Sequence, residues 1–295
     1  PEAHLHPQLQ AVLLRYLSSI DKDETGDKPV QVFVTSHSPN FASIADLDSI
    51  ACLFEADDKA TAFHPRSVEF AKGKREKLAR FLDVTRAELF FARRALLVEG
   101  AAELLLVSVL AKSHKIDLRD HGVSLISVEG LNFDSFMPLF GEKAIMIPVS
   151  VITDADPQTV KDNETVPSYP AATDAVTPSA TARTMLRQQD SLIKVFHGQK
   201  TFEYDLALIA KNRPTMLAAL KEIHPMIGAD LETEVDATEG EQAKAMTLFR
   251  GMFERKSGNV SKGRFAQALA SKIQDENCPI EAPAYILKAI EHVCR

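Results

Sequence analysis

Two apolar runs in this chain end in acids: Leu96-Leu97-Val98-Glu99-Gly100 and Ile152-Thr153-Asp154-Ala155-Asp156. Runs of this kind read as strands buried on both faces of a parallel sheet, where loops beyond the strand carboxyl ends form the usual site crevice. Glu99, Asp154 and Asp156 would then converge, and three convergent carboxylates are first of all a Mg2+ site. Phosphodiester hydrolysis with two ions about 3.5–4 Å apart needs more acids than that. Glu103 follows Glu99 by four residues at a helix start, so one helical face can present both. Asp154 and Asp156, one residue apart at a strand exit, would share one side of the strand.

The elements that must position these acids follow from periodicity. Strands are predicted at residues 95–98, 124–128, 144–153 and 191–197, and helices at 101–113, 133–140 and 181–189. Residues 156–179, rich in Pro, Thr, Asp and Ala, read as a long loop beside the site. This alternation predicts right-handed βαβ units and a parallel sheet, hence the α/β class. Beyond Glu203 the pattern is helical, over 203–210, 214–223, 242–253, 264–273 and 282–294, and the acidic run 230–236 reads as a solvated loop or helix rim. Ahead of the sheet come an amphipathic helix at 8–19, a polar turn at 21–28 and a strand at 30–35. A short helix and strand within 43–54 and a charged helical connector at 66–82 follow. Asp83 fits a helix cap, with Thr85 three residues before Glu88 as a weaker alternative.

A chain of 295 residues has room for two domains, and 45% hydrophobic with 25% charged residues is ordinary for a globular protein. A net charge of −7 argues against holding nucleic acid by a broad basic surface, although acids gathered at a metal site contribute to that balance. Cys52, Cys278 and Cys294 lack ligand spacing, so neither a disulfide framework nor a structural zinc site is suggested. The apolar stretches are too short to span a bilayer and the first residues do not read as a signal peptide, so no membrane partner and a cytoplasmic location are expected. His4 and His6 form an H-x-H pair, which on its own is a weak metal signal.

Pro1-Glu2-Ala3-His4-Leu5-His6-Pro7 and, after an apolar stretch, Thr35-Ser36-His37-Ser38-Pro39 resemble the end of an ABC-type ATPase domain of recombination and repair ATPases. The resemblance implies a nucleotide-phosphate contact for His37, in an intact ATPase only. No GxxxxGK[ST] phosphate loop occurs and no acidic pair precedes Pro1, so the chain reads as a C-terminal piece that does not hydrolyse ATP. The strand-Glu-Gly-helix and the later strand-Asp-x-Asp resemble the Toprim fold of topoisomerases, primases and certain nucleases. The join of ATPase tail to Toprim resembles the OLD (overcoming lysogenisation defect) endonucleases, class 2. Domains are expected at 1–60 (ATPase remnant), 61–91 (helical connector), 92–202 (Toprim), 203–256 (helical insertion) and 257–295 (completing the Toprim domain).

That resemblance adds site residues. A Thr-x-Glu-Tyr phrase of OLD-like nucleases points to Glu203 in Thr201-Phe202-Glu203-Tyr204 as a further metal ligand, with Asp205 turned about 160–200° away along the helix. A Lys-Gly-x-Phe-Ala phrase points to Lys262, in the Gly-punctuated basic loop 255–266, as the cation at the scissile phosphate. The third acid common after Asp-x-Asp is Gln158 here, which weakens a topoisomerase or primase reading. Expected metal ligands are therefore Glu99, Glu103, Asp154, Asp156 and Glu203, with Lys262, Glu99 and Asp154 catalytic. The implied cofactors are two Mg2+ or Mn2+ ions, with Ca2+ as a non-catalytic substitute, and ATP for the full-length protein alone. The implied partner is DNA, with a helicase-type partner left open and a homodimer for the full-length protein. The alternatives are strand passage, which needs one of Tyr16, Tyr169, Tyr204 or Tyr285 as nucleophile, and a non-enzymatic metal-binding module.

Overall fold

The computed structural model describes residues 5–20, 31–56 and 59–295. They form two compact units, one drawn from residues 1–93 and 134–147, the other from residues 94–133 and 148–295.

In the first unit, α1 (Pro7–Ile20) packs on α2 (Pro39–Ile44), which starts on Pro39 because that position needs no amide donor. Ser38 Oγ donates to Gln10 Oε1 at 2.8 Å across the same contact. The antiparallel pair β1 (Cys52–Ala56) and β2 (Lys59–Phe63) follows, and then α3 (Lys74–Phe81). The strand expected at 30–35 is not formed over its described part. Residues 31–38 carry no regular structure, because β1 and β2 pair with each other and no described strand offers 31–35 a ladder. Val30, the 21–28 turn and residues 1–4, with His4, lie outside the described residues. The 66–82 connector contracts to α3, entered through Gly73 at φ 78°. Asp83 is the cap in the event: its Oδ1 accepts from Arg86 N at 2.9 Å, whereas Thr85 caps nothing.

The second unit is built on four parallel strands in the order β4-β3-β5-β8. These are β3 (Arg94–Val98), β4 (Val123–Ser127), β5 (Val149–Ile152) and β8 (Ile193–Phe196), with α4 (Ala101–Ser113) leaving directly from β3. The two central strands β3 and β5 are almost wholly buried, which is why their sequences are unbroken apolar runs. The helix expected at 133–140 breaks at Pro138 into α5 (Phe133–Phe136) and a 3-10 turn, Met137–Leu139. The strand expected at 144–153 begins only at Val149, since Pro148 brings no N–H to the ladder. Residues 134–147, placed by sequence inside the 92–202 stretch, cluster instead with residues 1–93.

The expected loop 156–179 contains a hairpin, β6 (Gln158–Lys161) and β7 (Glu164–Pro167). Asp162 and Asn163 at its tip have φ of 53° and 65°, the left-handed pair a two-residue hairpin turn requires. α6 (Ala180–Leu186) then leads into β8. The helices α7 (Phe202–Leu208), α8 (Arg213–Ile223), α9 (Pro225–Ala237), α10 (Glu241–Phe253), α11 (Lys262–Gln274) and α12 (Ala284–Cys294) complete the unit. The acidic run 230–236 lies on α9, with Leu231 and Val235 buried one turn apart and its acids outward.

The helices share one core with the sheet: α11 packs on α4 and α8, α10 on α7, and α12 on β3, β5 and β8. Ser150 Oγ, fully buried in β5, donates to Ala289 O at 2.7 Å and satisfies its hydroxyl on α12. Residues 203–256 and 257–295, divided by sequence into insertion and closing segment, therefore lie in the same unit as the strands that carry the acids.

Candidate functional site

Glu99 stands at the end of β3, Asp154 two residues past the end of β5. The sheet register places Leu97 beside Val151, so the two strand ends are neighbours and the acids meet without any long-range loop. Glu99 Oε1 accepts from Thr153 Oγ1 at 2.8 Å and from Asp154 N at 3.0 Å, which fixes its direction. Asp154 Oδ1 accepts from Phe202 N at 3.0 Å at the start of α7. Glu103 is buried and its Oε2 accepts from Gly100 N at 3.0 Å, capping its own helix. In each of these three carboxylates one oxygen is anchored by the fold, and the second makes no hydrogen bond within the described chain.

Glu203 is held differently. It sits in the first turn of α7, where Thr201 Oγ1 accepts from Tyr204 N, and is 1% exposed. Its Oε1 has no hydrogen-bond partner, while Oε2 makes an ion-pair contact with Lys262 Nζ at 2.9 Å, without hydrogen-bond alignment. Lys262 is the first residue of α11, whose cap Ser261 accepts from Arg264 N. A buried carboxylate without aligned donors is costly, so the pair answers to a cation at this point of the fold.

Each of these groups also feels the charge of its neighbours. Burial and then the charge of Glu203 raise the Glu103 carboxyl above its usual range. Burial, followed by the like charges of Glu99 and Glu203, raises Asp154 well above its own. Burial works to lower the Lys262 ammonium, but Glu203, Asp154 and Glu103 together hold it above its ordinary value. Glu99, Glu103, Asp154, Glu203 and Lys262 thus form one cluster of four acids and one base. Among the described residues no group of three or more His, Cys, Asp or Glu side chains is arranged to hold a metal ion as it stands.

Asp156 does not join the cluster. β5 ends at Ile152, and Asp156 adopts φ 41° as the chain turns into the β6–β7 hairpin, so the two-residue strand period no longer applies. The residue is exposed and its carboxylate makes no hydrogen bond or ion pair among the described residues. Asp205 Oδ1 accepts from Gln199 N at 2.9 Å and Lys200 N at 3.2 Å, while its buried Oδ2 has no hydrogen-bond partner among the described residues. Burial pushes its carboxyl up to about 7 against those two amides. His37 is exposed on the 31–38 stretch of the first unit.

Sequence reasoning overlooked Thr153, whose position directly before Asp154 at a strand exit was the available signal. Tyr285 on α12, considered from the sequence only as a strand-passage nucleophile, is half-buried near the acids, and its hydroxyl is raised well above its usual range by burial and then by Asp205, Asp154, Glu103 and Glu203. Nothing in the sequence ties a residue so distant to the strand ends.

The parallel sheet in the order β4-β3-β5-β8, with a Glu at one central strand end and an Asp past its neighbour, is the frame on which the comparisons with known proteins bear. Residues 90–156 match the profile described as overcoming lysogenization defect protein-like, TOPRIM domain, and residues 1–42 match the AAA ATPase domain. Over residues 90–156 the chain is thus similar to OLD-like TOPRIM domains. It is 28% identical over 163 residues to an OLD nuclease of Thermus scotoductus, covering 53% of this chain and 30% of that protein. The chain thus spans under a third of that relative's length. Among solved structures, the C-terminal region of the Burkholderia pseudomallei OLD protein is similar at 25% identity and TM-score 0.46, over 69% of this chain and 98% of the other. The corresponding region from Xanthomonas campestris is similar at 24% identity and TM-score 0.44, over 70% and 94%.

Proposed function

We propose that this chain is the nuclease part of an ATPase-nuclease and hydrolyses DNA phosphodiester bonds with two divalent ions, Mg2+ or Mn2+. The observation that carries the reading is the carboxylate cluster, in which Glu99, Glu103 and Asp154 are each anchored through one oxygen and Glu203 Oε1 is buried without a partner. A buried acceptor of that kind, beside three oriented acids, suits a hard cation with oxygen ligands. Glu99, Glu103, Asp154 and Glu203 would hold the ions. Divalent ions, when bound, supply an acidified water and charge neutralisation at phosphorus. Lys262, which neutralises Glu203 here, would stabilise negative charge on the transferring phosphoryl oxygens. Thr153 keeps Glu99 directed into the site, and the Phe202 amide does the same for Asp154. Asp156, exposed and outside the cluster, is not a ligand under this reading.

The name of the Thermus relative supports nuclease chemistry, and DNA as the substrate is part of the proposal. ATP hydrolysis is not expected of a chain without a phosphate loop. Strand passage is disfavoured by the tyrosines of the second unit. Tyr204 is fully buried and its hydroxyl donates to Pro170 O at 2.8 Å, Tyr169 bonds Glu254, and the surroundings of Tyr285 oppose a phenolate.

The test is cleavage of supercoiled plasmid with Mg2+ or Mn2+, against EDTA and against Ca2+ alone. Cutting that needs Mg2+ or Mn2+ and is lost in Asp154→Ala supports the reading. Cleavage unchanged in Asp154→Ala at equal purity would sink the site assignment, and a covalent protein–DNA adduct after denaturant quenching would favour strand passage.

A further inference from the structure

The two segments that bring acids to the cluster from outside β3 and α4 are joined at a single peptide. Lys200 O accepts from Ala155 N at 2.8 Å and from Asp156 N at 3.1 Å, so the exit of β5 hangs on the turn that precedes α7. One step further along, Phe202 N donates to Asp154 Oδ1. The orientation of the 199–200 peptides therefore sets both where Asp154 points and where α7, with Glu203, begins.

Those peptides are in turn held by Asp205. Its Oδ1 takes the amides of Gln199 and Lys200, the two donors of the turn that face α7. The fit leaves no spare room: a Cβ on Gly198 would stand 1.8 Å from Asp205 Oδ2 and 2.6 Å from Tyr285 Cε1. Glycine is required there by close approach of side chains. The Lys200 side chain, 4% exposed, lies over the Tyr169 ring at 4.6 Å and fixes the turn from the other side.

We infer that Asp205 is a positioning residue for the acid cluster: through its hold on the Gln199 and Lys200 amides it sets the Lys200 carbonyl that orients the Ala155–Asp156 exit, and so aligns Asp154 with Glu203. It is not itself a ligand. Its role is that of an acceptor, and an uncharged acceptor of the same shape can fill it. This deepens the site of the proposed reading and rests on it, but the coupling of the two segments is testable without metal or DNA.

The experiment compares the full chain with Asp205→Asn and Asp205→Ala, after circular dichroism shows all three folded. Amide hydrogen exchange is the first readout. Asp205→Ala is expected to speed exchange at Ala155, Asp156 and Phe202 at least tenfold while Val151 and Ile152 in β5 keep their protection, and Asp205→Asn is expected to restore the wild-type pattern. The second readout is Mn2+ affinity by calorimetry, where Asp205→Ala should weaken binding about 10–100-fold, the usual cost of losing an orienting partner, and Asp205→Asn should stay within about threefold of wild type. Unchanged exchange at Ala155 and Asp156 in Asp205→Ala overturns the inference. Asp205→Asn as impaired as Asp205→Ala in both readouts overturns it too, because the charge would then matter. If the wild type binds Mn2+ and cuts no DNA, or binds no Mn2+, the proposed function fails and the exchange pattern still decides the positioning role.

Discussion

Thr153→Val tests how far the site depends on pre-orientation. Thr153 is 2% exposed, and its Oγ1 donates to Glu99 Oε1 at 2.8 Å. Valine keeps nearly the same shape, so the substitution removes one donor and leaves no large cavity. A hydrogen bond to a charged group contributes about 1.5–3 kcal/mol. Glu99 is only half-buried and keeps the Asp154 amide on the same oxygen at 3.0 Å, so water and the remaining bond offset part of the loss. The lower end, about 1.5 kcal/mol, corresponds to about a tenfold effect. Single-turnover cleavage of plasmid with saturating Mn2+ should therefore slow about tenfold, with Thr153→Ser near wild type. The unfolding midpoint should move little, because the β5 backbone pairing is untouched. Wild-type cleavage by Thr153→Val, alongside a dead Glu99→Gln, would refute the reasoning by showing that the backbone amide alone directs Glu99.

Other consequences are checked more simply. Lys262→Met should destabilise the metal-free protein in urea unfolding, since it strands the buried Glu203 without a counter-charge, but by less than the ~3–5 kcal/mol of a fully buried pair because the Lys262 side chain is 45% exposed; added Mn2+ should recover part of that, and an unchanged midpoint would refute the pairing. Glu241, lowered by its hydrogen bond to and the charge of Arg213, should contribute about 0.5–1 kcal/mol at pH 7, discounted because its side chain is largely exposed. A carboxyl lowered on folding gives stability that is present above its unfolded value and lost as pH falls through the folded one. The difference between wild type and Glu241→Gln should accordingly close as the pH falls below the ordinary glutamate range, and a gap that widened there would reverse the assignment. Gly228→Ala on α9 would place a Cβ 2.9 Å from the backbone of Lys221 on α8, and should cost about 1–3 kcal/mol in thermal unfolding because neither helix can yield a main-chain atom cheaply. Replacing Asp162 and Asn163 by valine should open the β6–β7 hairpin to limited proteolysis without moving the global unfolding midpoint, as its strand residues are almost all exposed.

What the sequence determined by itself was local and chemical. The unbroken apolar runs of β3 and β5 required strands buried on both faces, and acids at their ends required a crevice there. Helix α4 was legible to the residue from the Glu-Gly turn that ends β3 and the apolar run after it. The periodic stretches beyond Glu203 were legible for the same reason: 3.6-residue spacing of apolar side chains is a property of the chain before it folds. The tertiary structure decided what depends on partners far along the chain. A stretch like 31–35 has strand composition but becomes a strand only beside another, and Asp156 lost its place when the backbone left β5 at a left-handed turn. Glu203 and Lys262 become a pair because α7 and α11 begin side by side, a contact across 59 positions that no local pattern encodes. Thr153, Asp205 and Tyr285 act through hydrogen bonds and burial around the acids, and those exist only once sheet and helices have closed into one core.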